Sequence, residues 1–123
     1  MEDLTLLAEQ HLALARQAEH GRSAHLFLHD GPLRQSVIAL AAGAELEEHT
    51  APPAASLHVL RGRVRLIARE GEDTELRAGQ VLNIPQGRHS IRALTDSAIV
   101  FTTVTANPEP VAVYDSRRTP QAG

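Results

Sequence analysis

The chain has 123 residues, of which 42% are hydrophobic, 22% are charged and only 2% are aromatic. This length is typical of one globular domain, and the lack of cysteine excludes disulfides, thiolate metal ligands and cysteine nucleophiles. The formal net charge is -3, which disfavours a nucleic-acid-binding protein, because such a protein concentrates positive charge on one face.

The amino-terminal residues and the apolar runs predict no association with a membrane. The chain begins with Met1, Glu2 and Asp3, which places acids where a secretory signal carries positive charge. No apolar run approaches the roughly 20 residues that span a bilayer. We therefore expect a soluble, cytoplasmic protein.

Residues 2–19 carry a helical pattern. Side chains that can form one face recur at steps of three and four residues, at Leu4, Leu7, His11, Leu14 and Ala18. Gly21 follows at a position typical of a helix stop. The pattern predicts an amphipathic helix within residues 1–21 that packs on a sheet or on a partner subunit, with His11 as a packing residue.

After Gly21 the hydrophobic period changes to two, which predicts strands and turns. Strands are expected at 24–29, 35–42, 56–68 with an interruption at 61–62, 81–84, 88–94 and 97–104, and a second hairpin turns around 70–73. The strand at 35–42 is apolar on both faces, which predicts cover on both sides. This spacing indicates an all-β sandwich or barrel over residues 22–105, followed by a tail over residues 106–123 in which 111–114 is a candidate edge strand.

The interruption at Arg61 and Gly62 is interpreted as a two-residue hairpin turn. On that reading the side chains that share the inner face are Leu57, Val59, Val64 and Leu66. His58 then lies on the outer face with Arg63 and Arg65.

Two short motifs give the chain a resemblance to the cupin superfamily. The first cupin motif is Gly, five residues, His-x-His, three or four residues, Glu, six residues and Gly; residues 43–62 fit it at Gly43, His49 and Gly62. The second motif is Gly, five residues, Pro-x-Gly, two residues and His; residues 79–89 fit its glycines and proline, and His89 comes one residue early. The resemblance covers about residues 34–104 and implies a single-domain jelly-roll β-barrel.

The same resemblance identifies the positions where cupins hold a metal ion. The two histidines of His-x-His, the Glu and the second-motif His are the family's ligands, and these positions carry His49, Ala51, Ala55 and His89 here. Two of the four ligand positions are thus occupied by alanine, whose methyl side chain cannot bind a metal ion. Since catalytic zinc and non-haem iron sites use about three protein ligands, we expect no metal cofactor.

Glu47 is the best local candidate to replace the missing carboxylate. Strict alternation back from His49 places Glu47 on the inner face but turns Leu46 outward, so a bulge near Glu48 that returns Leu46 to the core is an equal alternative. A solvated acidic rim is the simplest reading of these glutamates. The remaining strand histidines, His25, His29 and His58, are assigned to outward-facing or subunit-contact positions.

The parity of the 88–94 strand predicts that His89 faces the interior, because the opposite choice would bury Arg88 and Arg92. The predicted ligand cavity is lined by His49, Leu57, Val59, Val64, Leu66, His89 and Ile91. Two imidazoles in such a pocket could bond to each other, recognise a small ligand or hold a metal weakly.

Three functions compete on these grounds. The first is a metal-independent cupin that binds a small molecule as a sensor or accessory protein, with His49 and His89 as polar anchors and without catalysis. The second is a small metal-dependent isomerase or dioxygenase that uses His49, His89 and Glu47 to hold Fe, Mn, Ni or Zn. The third is an oligomerisation role, since the helix and the doubly apolar strand predict a homodimer.

Overall fold

The computed structural model describes residues 1–50 and 53–105, with the backbone alone described at 48–50. The elements in chain order are α1 (Leu4–Gln17), β1 (Arg22–Asp30), β2 (Leu33–Leu40), β3 (Glu45–Thr50), β4 (Ala54–Arg61), β5 (Arg63–Ala68), β6 (Thr74–Arg77), β7 (Val81–Asn83), β8 (Arg88–Ala93) and β9 (Ser97–Val104). The predicted tail at 106–123 lies outside the described residues. No helix in the described ranges is long and apolar enough to cross a membrane.

The strands form two antiparallel sheets, which confirms the all-β class. The larger sheet has the order β1-β2-β9-β4-β7 and the smaller has the order β3-β8-β5-β6. Their inner faces meet in one aliphatic core built by both sheets. Within the described residues the two sheets share no hydrogen-bonded strand pair, so the jelly roll is a pair of packed sheets rather than a closed barrel.

The predicted hairpin at Arg61 and Gly62 is wrong. β4 pairs with β7 and β9 in the larger sheet, whereas β5 pairs with β6 and β8 in the smaller one, so the chain crosses between sheets at Gly62. The assignment of side chains to the interior nevertheless holds, because each strand keeps its own alternation. The four inner residues are buried: Leu57, Val59, Val64 and Leu66.

Helix α1 begins after Asp3, whose carboxylate accepts a hydrogen bond from the backbone N–H of Leu6 at 3.1 Å. Such an N-cap satisfies one of the amide groups left over at a helix start. The buried face consists of Ala8, Leu12 and Ala15. The buried face is therefore rotated around the helix axis relative to the predicted stripe, and Leu14, which belonged to that stripe, is 54% exposed. The small alanines explain the rotation, since they let the helix backbone lie close to the sheet.

Strand β2 is covered on both faces, as predicted. Ile38 and Leu40 face the core between the sheets. On the other face, Ala39 packs with Leu12 and Ala15 of α1. The apolar outer face that motivated the homodimer is thus covered within one chain, and the homodimer stays a prediction.

Asp96, in the turn between β8 and β9, ties this turn to the helix. Its carboxylate accepts hydrogen bonds from Arg16 Nε and from the backbone N–H of Ala42, both at 2.8 Å. The Arg16 hydrogen bond, followed by that from Ala42, lowers the pKa of the Asp96 carboxyl below its ordinary value. The contact fixes α1 against the sheet, where it forms the outer wall of the domain.

Candidate functional site

Strands β3 and β8 carry the two histidines of the predicted cavity, and their pairing brings the backbones of these residues together. His49 and His89 are direct register partners. A register shift between Leu46 and His49 confirms the expected bulge, and Leu46 packs against the core as that alternative required. Glu47 lies within the shifted segment and is exposed.

His89 faces the interior, as the strand parity predicted. It is only 8% exposed, and Ile91 and Ala93 on the same side of β8 are buried as well. Arg88 and Arg92 are exposed. The Nδ1 atom of His89 is buried and has no hydrogen-bond partner in the described structure. An unsatisfied buried polar atom is uncommon in folded proteins, because it costs about 1–3 kcal/mol in lost hydration.

The loop that precedes β8 passes close to this ring. Gly87 has a φ of +119°, and a Cβ built there would lie 3.7 Å from Cε1 of His89. Gln86 donates a hydrogen bond from Nε2 to the Pro53 carbonyl at 3.2 Å. The amide of Arg69 donates to the Arg88 carbonyl at 3.0 Å, which joins the end of β5 to the start of β8.

A pocket of about 420 Å³ opens at this end of the smaller sheet. It lies in the range of small-molecule sites, which run from about 300 to 1,000 Å³. Its lining residues are Arg69, Glu70, Gln86, Gly87, Arg88 and His89. The pocket therefore combines a buried imidazole with charged and amide groups from two loops.

The described lining of this pocket shares only His89 with the lining predicted for the ligand cavity. The aliphatic members of the predicted lining, Leu57, Val59, Val64, Leu66 and Ile91, are 0–3% exposed and pack together in the core. Sequence reasoning missed the loop residues of the pocket. The sequence indicates only that Arg88 faces outward, that Arg69 follows a series of arginines typical of a solvated strand face, and that Glu70 lies in the predicted turn at 70–73; both Arg69 and Glu70 follow the end of β5.

The other histidines lie away from this pocket. His58 is half-buried and pairs with Val81 and Val100 in the larger sheet. His25 and His29 are exposed on β1. His11 of α1 bonds through Nδ1 to Ser23 Oγ at 2.7 Å and stacks on His25 with 5.7 Å between ring centroids, which accords with the packing role predicted for it.

The donor groups described near the pocket do not fit a cupin metal centre. Ala55, at the position of the family's Glu ligand, is a buried methyl group in the core. Throughout residues 1–50 and 53–105, as far as their side chains are described, no group of three or more His, Cys, Asp or Glu could hold a metal. The pocket also contains Arg69 and Arg88, whose positive charges disfavour a divalent cation nearby.

Comparison with known proteins supports the same family assignment. A family model described as a cupin domain matches residues 36–105. No curated protein matches the chain.

Solved structures share the fold at low sequence identity. A conserved protein of unknown function from Streptococcus pyogenes is 20% identical, with a TM-score of 0.65 over 73% of this chain and 79% of the other. A cupin superfamily protein from Desulfitobacterium hafniense is 16% identical, with a TM-score of 0.65 over 76% and 88%. KdgF from Halomonas sp. is 22% identical, with a TM-score of 0.62 over 73% and 85%. At such identities the likeness establishes the architecture alone.

Proposed function

The chain belongs to the cupin domain family, and on that premise we propose that it binds a small organic molecule, without a metal ion, in the pocket beside His89. The observation that carries this proposal is the buried Nδ1 atom of His89, which has no partner in the described structure and belongs to a residue that lines a pocket of about 420 Å³. A bound molecule that hydrogen-bonds to Nδ1 would offset the desolvation cost of that atom.

The role that follows is that of a sensor or accessory protein rather than an enzyme. The imidazole can supply a directional hydrogen bond, and the aliphatic residues of the neighbouring strands pack together in the core. Binding to the folded state alone would stabilise the domain by mass action. Occupancy could thus be reported through stability or through association with another copy.

The test compares His89→Leu with the wild type and with His29→Leu, which replaces an exposed histidine on β1. The probes are matched small carboxylates and amides, namely benzoate and benzamide, butanoate and butanamide, and succinate and succinamide. Binding is followed by ¹⁵N shifts of the labelled histidine rings and by calorimetry. We expect at least one compound to shift the His89 resonances, and we expect His89→Leu, but not His29→Leu, to lose its binding.

Stability without ligand separates this role from a structural one. Because leucine leaves no unsatisfied nitrogen, we expect His89→Leu to be as stable as the wild type or about 1 kcal/mol more stable in urea. A loss of more than about 1 kcal/mol, or a failure of every probe to perturb the His89 ring, would overturn the proposal.

The metal-dependent alternative is favoured by one observation, the direct pairing of His49 with His89 across β3 and β8. Elemental analysis of untagged protein purified without chelator distinguishes the two. We expect Fe, Mn, Ni and Zn well below one equivalent. A full equivalent that is lost in both His49→Ala and Glu47→Gln would establish the alternative instead.

A further inference from the structure

Helix α1 carries a second apolar stripe beside the face that it buries. Leu7, His11 and Leu14 each come one position before a buried residue, so this stripe lies about 100° around the helix from the buried face. His11 shows its direction, because its ring contacts Ser23 and His25 of β1. The stripe therefore lies on the side of α1 toward β1, where Leu14 is exposed.

Strand β1 forms an edge of the larger sheet. Among the described residues it pairs with β2 alone, so the backbone groups along its other side have no strand partner there. Leu26, in the middle of β1, is exposed. Since His25 faces α1, the next residue, Leu26, points to the opposite face of the sheet. A long edge strand with exposed apolar side chains is a template for pairing with another strand.

The charges at the two ends of β1 favour a second copy of the same strand in antiparallel orientation. Arg22 begins the strand and Asp30 ends it. Neither forms an ion pair within the part of the chain that the structure describes, and Arg22 donates instead to the neutral carbonyl of Glu45. An antiparallel copy brings unlike charges together at both ends of the pair, whereas a parallel copy would bring like charges together.

Antiparallel pairing of the two edges also brings the two helices together. The two-fold axis of such a pair runs perpendicular to the sheet, so both copies of α1 lie on the same face. α1 packs mainly over β1 and β2. Because neighbouring strands are about 4.8 Å apart, each helix lies about 5 Å from the axis and the two helices about 10 Å from each other. Packed helices are about 8–10 Å apart, and the sides that face each other carry Leu7 and Leu14.

We propose that β1, together with the side of α1 that carries Leu7 and Leu14, forms the interface of a homodimer in which two larger sheets join edge to edge. With the axis near Leu26, the two Leu26 side chains cover each other on the face opposite to the helices. None of these residues is among the described lining of the His89 pocket, so this inference is independent of the proposed function.

The bulge of β1 shapes this interface. The register of β1 with β2 shifts between Leu26 and Leu28, and a bulge interrupts the regular ladder of hydrogen bonds. The edge-to-edge ladder is therefore broken at one point on each strand. The leucine contacts on the two faces of the joined sheet supply the rest of the interface.

The first experiment measures the dimer dissociation constant of the full chain by sedimentation equilibrium. The variants are Leu14→Lys and Leu26→Lys. Leu6→Lys is the control on the helix, since Leu6 is similarly exposed but lies on the side away from the sheet. Val81→Lys is the control on the sheet, since Val81 is still more exposed and lies on β7, the opposite edge.

We expect the wild type to be mainly dimeric at about 10 μM. Leu14→Lys and Leu26→Lys should each raise the dissociation constant at least about tenfold, because a lysine at the edge opposes pairing and loses hydration when it is buried. The two control variants should change it by less than about threefold. Circular dichroism verifies that each variant is folded.

The second experiment tests the position of the axis and keeps the apolar contacts largely intact. The chain contains no cysteine, so Leu26→Cys introduces a single thiol into each copy. Opposite residues of an antiparallel pair have Cβ atoms about 4.5–5.5 Å apart, which is close to the span of a disulfide. We expect mild oxidation to link Leu26→Cys into covalent dimers under conditions that leave Val81→Cys mainly unlinked.

Three results would overturn the proposal. The first is a wild type that is monomeric at about 100 μM, and the second is a dimer that neither lysine variant at the interface weakens. The third is covalent linkage of Val81→Cys in preference to Leu26→Cys, which would assign the contact to the other edge. If the wild type is monomeric and Leu26→Lys lowers the urea midpoint while Val81→Lys does not, another segment of the same chain covers the edge of β1.

Discussion

Replacement of Gly62 by alanine tests how the chain crosses from one sheet to the other. Gly62 has a φ of +82°, a conformation that costs an L-residue about 1–2 kcal/mol. A Cβ at this position would also collide with the carbonyl oxygen of Asp96 and with Oγ of Ser97. Ser97 is fully buried, and its hydroxyl lies 3.0 Å from the Arg63 carbonyl and 2.7 Å from the Thr95 carbonyl.

The collision adds to the cost of the backbone conformation. Displacing the Ser97 hydroxyl would cost about 1–3 kcal/mol in buried hydrogen bonding, so we expect Gly62→Ala to destabilise the domain by about 2–5 kcal/mol. Gly79→Ala is the matched control: its φ is +91°, but a Cβ there has nothing within 4 Å. It should cost only the conformational part, about 1–2 kcal/mol.

Urea denaturation followed by circular dichroism measures both values. Because m-values for small domains are about 1–3 kcal/mol per M, the two variants should have clearly separate midpoints. Equal destabilisation of Gly62→Ala and Gly79→Ala would refute the reasoning, since it would mean that close approach to Asp96 and Ser97 adds nothing.

Two further predictions concern the attachment of α1. Asp96→Asn keeps an acceptor for the Ala42 amide but loses the charge facing Arg16, so it should cost at most about 1 kcal/mol at pH 7, as is usual for exposed ion pairs. The folded state lowers the pKa of the Asp96 carboxyl, so the extra stability of the wild type over Asp96→Asn is complete above the ordinary aspartate pKa of about 3.9 and is lost as the pH falls through the pKa of the folded state. Urea midpoints of both proteins from pH 7 to pH 2.5 measure this change. A stability difference that stays constant across that range would contradict the prediction. Leu12→Ala should lower the free energy of unfolding by about 2–5 kcal/mol, because the Leu12 residue is only 2% exposed. Leu14 is 54% exposed, so Leu14→Ala should change that free energy by less than about 0.5 kcal/mol. Similar losses for both variants would refute the observed orientation of the helix.

The sequence predicted which residues are buried more reliably than which strands are neighbours. Alternation places Val59 and Val64 in the core whether the intervening Gly62 forms a hairpin turn or a crossover, because the period of two acts within each strand. Partner choice depends on contacts distant in sequence, such as that of β4 with β9. For this reason the inner face was predicted correctly and the turn was not.

The pocket was only partly predictable for a related reason. His89 lies on a strand, where parity gives its direction, and the structure agrees with that direction. Arg69 and Glu70 follow the last residue of β5, where alternation no longer applies, and the β5–β8 pairing brings them to the start of β8. The presence of Arg69 and Glu70 in the pocket lining is therefore a result of strand pairing rather than of a local motif.

In this chain the glycine positions of the two cupin motifs and their metal-ligand positions give separate information, the first on the backbone fold and the second on the chemistry of the site. Their glycines at 43, 62, 79 and 87 all have positive φ, so these motif positions are explained by turns and by the sheet crossing. Such requirements stay the same whatever the pocket binds. Ala55, by contrast, stands at a ligand position and contributes a buried methyl group to the core. Because the spacing of the motifs is set by backbone conformation, it is sound evidence for the fold and gives no support for a metal-dependent reaction; the proposed function rests instead on the Nδ1 atom of His89, which has no partner in the described structure, and on the pocket that this residue lines.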